Sequence, residues 1–169
     1  FPASPIIKAL DLYGRLMRFH ERNRDRSAFV DADLARLNYA SNVAMGDDKD
    51  ARYEAAVTRL AEANPKHEVF ARALALLAQR RNQAGAPAEA RKLAQRGLDA
   101  FPNSVGGNQC YNLIQQIETP SVELATEQVW AAPLPTLDVT YRNLGHVYFR
   151  AVPVDFPEHV AKTSSNVGN

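Results

Sequence analysis

The sequence predicts a mainly α protein: five to six helices in antiparallel hairpins, followed by a short β-hairpin or three-strand segment. Three observations carry that expectation. Up to residue 118, apolar side chains return at steps of three and four, the spacing of one helix face. Clusters of Gly, Pro and Asn cut this region into pieces of helix length. After Thr119 and Pro120 the apolar period falls to two, as in a strand with one covered side.

Ser4 and Pro5 open the first helix, serine as a cap and proline with its φ pre-set for the first turn. Ile6, Leu10, Tyr13 and Met17 mark its inner face, and it should end near His20. The polar stretch "ERNRDRS" leads to a second helix with Leu34, Leu37, Ala40 and Val43 or Ala44 inward. Gly46, Asp47 and Asp48 close it and cap a third, from about Asp50 to Ala63. "NPKH" is a turn. A fourth helix carries Leu74, Leu77 and Ala78; after "QAGAP", a fifth carries Ala90 and Gly97 and stops at Pro102. A sixth helix is expected over about Ser104 to Glu118, although "SVGGN" (104–108) by itself reads as a loose turn between helices.

The fourth and fifth helices resemble a tetratricopeptide repeat, in which small residues let two antiparallel helices approach and a proline ends the second. Leu34 to Pro65 matches more loosely, with Leu60 where a small residue is expected. Stacking of such pairs gives a short solenoid with a concave face able to take a peptide. Arg36, Asn38, Arg72, Gln79 and Arg80 are expected among the polar residues of that face.

"SVELATEQV" (121–129) alternates, with Val122, Leu124 and Val129 as inward candidates, and the two prolines of "WAAPLP" hold the next stretch extended. Leu137, Val139 and Tyr141 then alternate with Asp138 and Thr140. "RNLG" makes a turn, and Val147, Phe149 and Ala151 or Val152 begin a partner strand running to Val154. Three strands do not close a sandwich. Either they pack on the helices, or they open a domain that continues further on. The division expected is a helical region over 1–118, strands over 119–160 and a disordered tail over 161–169.

Composition sets bounds on function. Twenty Lys and Arg against nineteen Asp and Glu leave a formal charge of +1, so no global field draws the chain to nucleic acid or anionic lipid. The densest basic run, "RFHERNRDR" (18–26), is broken by Glu21 and Asp25 and reads as a solvated helix end. No apolar run reaches the eighteen residues of a membrane span. Cys110 is the only cysteine, so no disulfide forms within the chain. The chain begins with Phe1 and is read as a piece of something longer.

No set of residues converges on a reaction. His20, His67, His146 and His159 share no metal-ligand spacing. Cys110, in "NQCYN", reads as a core residue, and "SVGGN" lacks the lysine of a phosphate loop. The acids of "DADL" (31–34) and "GDDKD" (46–50) read as helix starts, where they complement the dipole. Tyr13, Phe19, Phe29, Tyr39, Tyr53 and Phe70 are spaced for packing, without a basic stripe. Neither a catalytic residue nor a cofactor or metal site is expected. Read from the residues alone, the chain is an interaction module.

"SPIIKALDLYGRLMRFHERNRDRSAFVDADLARLNYA" (4–40), a repeat-like helical block and "TLDVTYRNLGHVYFRAVPVD" (136–155) together resemble one segment of the large bacterial alpha-2-macroglobulin-like proteins of Bacteroidetes type. In these a tetratricopeptide-like region leads into the first macroglobulin-type β-sandwich. Its opening strands carry a "YRN…YFR" pattern, matched by Tyr141, Arg142, Asn143, Tyr148, Phe149 and Arg150. The resemblance implies a non-enzymatic scaffold within a secreted or lipid-anchored protein of the periplasm or cell envelope that entraps proteases after cleavage of a bait segment; no lipobox is present here, so a lipoprotein anchor is implied of the parent alone. Implied partners are the parent's other domains, with proteases or envelope proteins beyond them. Cys110 stands in "QCYN" and not in the "CGEQ" of a thioester, and no bait segment is present, so that machinery would lie outside these residues. The alternative is a stand-alone tetratricopeptide-like peptide-binding module with no inhibitor role. An unfinished sandwich further implies that Leu137, Val139, Tyr148 and Phe149 lack partners on their outward sides.

Overall fold

The computed structural model describes residues 4–126 and 136–150, with Val152, Asp155 and Pro157. Within them lie α1 (Pro5–His20), α2 (Ser27–Val43), α3 (Lys49–Ala63), α4 (Val69–Gln83), α5 (Pro87–Ala100), α6 (Val105–Glu118), β1 (Ser121–Thr126) and β2 (Leu137–Arg142). The chain divides into two compact units, Phe1–Thr119 and Pro120–Asn169. The mainly helical architecture followed by a short antiparallel hairpin is the one expected. The tail over 161–169 lies outside the described residues.

Each helix packs on its neighbour in sequence, and α4 also packs on α2 and α6. The sequence of α4 explains its central place. Val69, Ala71, Ala73, Leu74, Ala75, Leu77 and Ala78 are all buried, so it is covered on more than one side, and its four alanines let other helices come close. One core lies between α2, α3 and α4, with Val30, Leu34, Val57, Leu60, Leu74 and Leu77. A second joins α4, α5 and α6 through Ala78, Ala90, Ala94, Cys110, Leu113 and Ile114. Covering a side chain such as Leu34 contributes about 1.5–3 kcal/mol.

The small residues of the repeat-like pair are placed by close approach. Ala78 and Ala90 are fully buried, and a Cβ on Gly97 would stand 2.7 Å from the Cys110 sulfur. "SVGGN" is not a loose turn but the first turn of α6. Ser104 caps it, its Oγ accepting from the Gly107 N–H at 2.9 Å. A Cβ on Gly106 would meet the Arg72 nitrogen at 2.3 Å, and one on Gly107 the Phe101 carbonyl oxygen at 2.0 Å. The glycines let the helix start against the main chain of α4 and of the preceding turn.

Other caps differ from expectation. Ser4 and Asp48 occupy N-cap positions, yet neither side chain bonds its helix end; Asp48 leans instead toward Arg52 at 3.7 Å. "DADL" lies inside α2 rather than at its start, because α2 begins at Ser27. Its acids meet arginines: Asp31 pairs with Arg72 of α4 at 2.8 Å, and Asp33 with Arg36 at 2.6 Å. Asp50, in the first turn of α3, pairs with Arg80 of α4 at 2.6 Å.

In the second unit the strand pairing differs from the one expected. β2 pairs antiparallel with β1, and residues 147–150 carry no regular structure; Ala151, Pro153 and Val154 lie outside the described residues. The register gives the reason. Val122 lies opposite Tyr141, Leu124 opposite Val139 and Thr126 opposite Leu137, while Glu123 faces Thr140 and Ala125 faces Asp138. Two alternating patterns thus coincide, mainly apolar on one face and mainly polar on the other. The downstream run puts Tyr148 and Phe149 on consecutive positions and includes Pro153, which donates no ladder hydrogen bond. Most of the apolar face stays open to solvent: Val122, Leu124, Leu137 and Tyr141 are 49, 57, 52 and 59% exposed, whereas Val139, expected to lack a partner on its outward side, is half-buried.

Candidate functional site

Because α4 packs on both α2 and α6, one face of the helical unit is formed by every second helix. Two adjoining depressions run along it. The first, of about 390 Å³, lies between α2 and α4 and is lined by Tyr13, Tyr39, Asn38, Asn42 and Arg72. The second, of about 330 Å³, lies between α4 and α6 and is lined by Gln79, Gln83, Asn112 and Gln116. Leu76 and Gln109 border both, so the two form one groove with α4 along its floor.

The groove is lined by rows of carboxamides one helical turn apart: Asn38 and Asn42 on α2, Gln79 and Gln83 on α4, Gln109, Asn112 and Gln116 on α6. Steps of three, four and seven place each row on one side of its helix. A carboxamide presents two donors and one acceptor at fixed geometry and carries no charge. Asn38 accepts from the Tyr53 hydroxyl at 3.1 Å. Among the described residues, the carboxamides of Asn42, Gln79, Gln109 and Asn112 have no hydrogen-bond partner. The only charged residue among the described ones lining either depression, Arg72, is paired with Asp31 at 2.8 Å.

Of the residues expected on the concave face, Asn38, Arg72 and Gln79 come together in this groove. Arg36 turns to Asp33 and lines a separate depression between α2 and α3. Arg80 is drawn into the joint of α2, α3 and α4. It donates to Asp50 Oδ1 and to Ser41 Oγ, both at 2.6 Å, and its guanidinium lies 4.1 Å from the centre of the Tyr53 ring. Burial, the largest influence on Tyr53, pushes its hydroxyl pKa up against the pull of Arg80. Arg81 donates to Glu54 at 2.6 Å and Arg91 pairs with Glu118, so α3–α4 and α5–α6 are also tied. Asn42, Gln83, Gln109, Asn112 and Gln116 escaped the sequence reading, although their helical spacing was available as a signal.

Cys110 and His67 are held in structural contacts. Cys110 is fully buried, its sulfur 3.6 Å from the Ala71 carbonyl oxygen. Burial pushes its thiol pKa up to about 11, the reverse of an activated nucleophile. His67 accepts the Val69 N–H at Nδ1 (3.1 Å), which leaves Nε2 to donate to Ser27 Oγ at 2.9 Å. Ser27 donates in turn to Asp25 from both its hydroxyl and its backbone N–H, at 2.6 and 2.8 Å; these bonds lower the Asp25 pKa. The chain joins the loop before α2, the first residue of α2 and the first residue of α4. Among the described residues no three His, Cys, Asp or Glu side chains gather as a metal-ligand set, and no helix is long and apolar enough to cross a membrane.

No protein-family model, no curated protein and no solved structure matches the chain.

Proposed function

We propose that the chain is a non-catalytic scaffold from a large alpha-2-macroglobulin-like envelope protein that entraps proteases. The helical unit serves as platform, and the hairpin opens a β-sandwich. The observation that supports this reading is the amphipathic hairpin, whose mostly exposed apolar face of Val122, Leu124, Leu137, Val139 and Tyr141 is a surface that a second β-layer would cover. Tyr148 and Phe149, also expected to lack partners, are both exposed. Antibodies raised against the chain test the reading on its native cells. The expected antigen fractionates with the envelope, exceeds 18.7 kDa and co-migrates with trypsin in undenatured gels after proteolysis. A cytosolic antigen, or one that never associates with a protease, contradicts it.

A second reading has its own support. The carboxamide groove across α2, α4 and α6 favours a helical module that binds a peptide and has no inhibitor role. Loss of peptide binding on changing Gln79 and Gln109, both exposed, is the expected result. Unchanged binding would remove the groove from the function.

A further inference from the structure

We infer that the groove takes an extended, uncharged peptide segment and holds it mainly by its main chain. This rests on the reading of the helical unit as a peptide-binding module and adds what that module recognises. An extended segment offers unpaired N–H and C=O groups, and a carboxamide can answer both at once, giving to the carbonyl and accepting from the amide. A helical ligand has already paired these groups internally and would leave the carboxamides unanswered. Charge points the same way. Among the described residues Arg72 is the only ion lining the groove and Asp31 already holds it, so neither an acidic nor a basic peptide finds a free counter-charge among them. Leu76, at the middle of the floor, gives apolar contact to small or apolar side chains that alternate inward along the segment.

A linear glycan is the competing occupant, since amides also bond hydroxyl groups. Sugar rings stack on open aromatic faces, and here Tyr13 and Tyr39 lie at one end and pack on each other, with ring centres 5.9 Å apart. That arrangement favours the peptide.

The test selects binders to the purified 169-residue chain from a random dodecapeptide phage library, then compares the best peptide with a copy N-methylated at alternate residues. Methylation removes main-chain donors and leaves every side chain in place. The expected result is at least a tenfold loss on methylation, a similar loss with Gln79→Ala plus Gln109→Ala, and shifts of the side-chain NH₂ signals of Asn42, Gln79, Gln109 and Asn112 on titration. Equal affinity for the methylated peptide, or selection of uniformly acidic or basic sequences, would overturn main-chain recognition while leaving a peptide groove. Failure to select any peptide dependent on Gln79 and Gln109 would overturn the module reading as well. Shifts of the same signals by maltoheptaose, with none by peptide, would assign the groove to glycan.

Discussion

The helical unit and the hairpin treat apolar surface in opposite ways. From α2 to α6 the large side chains close into two cores, and polar groups at the joints are paired: Arg80 with Asp50 and Ser41, Arg81 with Glu54, Arg72 with Asp31. In β1 and β2 an equally regular pattern sorts apolar from polar residues, yet leaves most of the apolar face in solvent. A pattern therefore reports which face is meant to be covered, not whether anything within reach covers it. Closure of the first unit gives it a stability of its own. The second unit leaves most of its apolar face exposed.

Substitutions sharpen that contrast. The largest effect is expected from Leu34→Ala, which empties a fully buried site between α2, α3 and α4 and should cost about 3 kcal/mol in urea unfolding. Leu124→Ala in β1 should leave the helical transition within about 0.5 kcal/mol of the parent; a shift of the same size as that of Leu34→Ala would show the two units to be one cooperative structure. Next comes Gly106→Ala, with a loss of about 2 kcal/mol from forced contact with the α4 main chain, against the gain of up to about 1 kcal/mol that alanine gives an ordinary helix. Gly145→Ala, with nothing near its added carbon, should be neutral.

Cys110 gives a smaller, pH-dependent signal. With its pKa pushed from the ordinary 9.0 up to about 11, both folded and unfolded chains hold the proton below pH 9. Between pH 9 and about 11 the unfolded chain releases it and the folded one does not, so stability falls as pH rises through this window. Cys110→Ala should flatten that part of the pH profile. At pH 8 the native thiol should react with a disulfide reagent at least about a hundredfold more slowly than the unfolded one, since its thiolate fraction is lower by about that factor. The smallest effect is expected from Asp50→Asn, at most about 1 kcal/mol, because the Asp50 side chain is 62% exposed and Ser41 still accepts from Arg80.

Much of the helical unit was legible because local signals and the fold agree. Pro5, Gly46, Pro87 and Pro102 stand at or beside helix ends, and the steps of Leu34, Leu74, Leu77, Ala90 and Gly97 mark surfaces that are buried. The start of α6 was harder. Two adjacent glycines read as a turn, and only the main-chain atoms of Arg72 and Phe101, brought close by packing, explain them as helix. The strand partner of β2 was misjudged because two runs of similar alternation compete, and register over six residues decides between them. Asn38, Arg72 and Gln79 reach the groove, whereas Arg36 and Arg80 do not, because helical spacing fixes which residues share a face but not which helices adjoin it. Each carboxamide row alone looks like a solvated surface; the groove exists only once α2, α4 and α6 lie side by side.

Limited proteolysis of the purified chain, followed by mass spectrometry across Thr119 to Ser121, tests the contrast between a closed unit and an open one most directly. The predicted result is rapid loss of everything beyond this point, leaving a resistant helical core that ends near Thr119. Resistance through Asp155 at the same protease concentration would contradict it and make the hairpin an integral part of the helical fold.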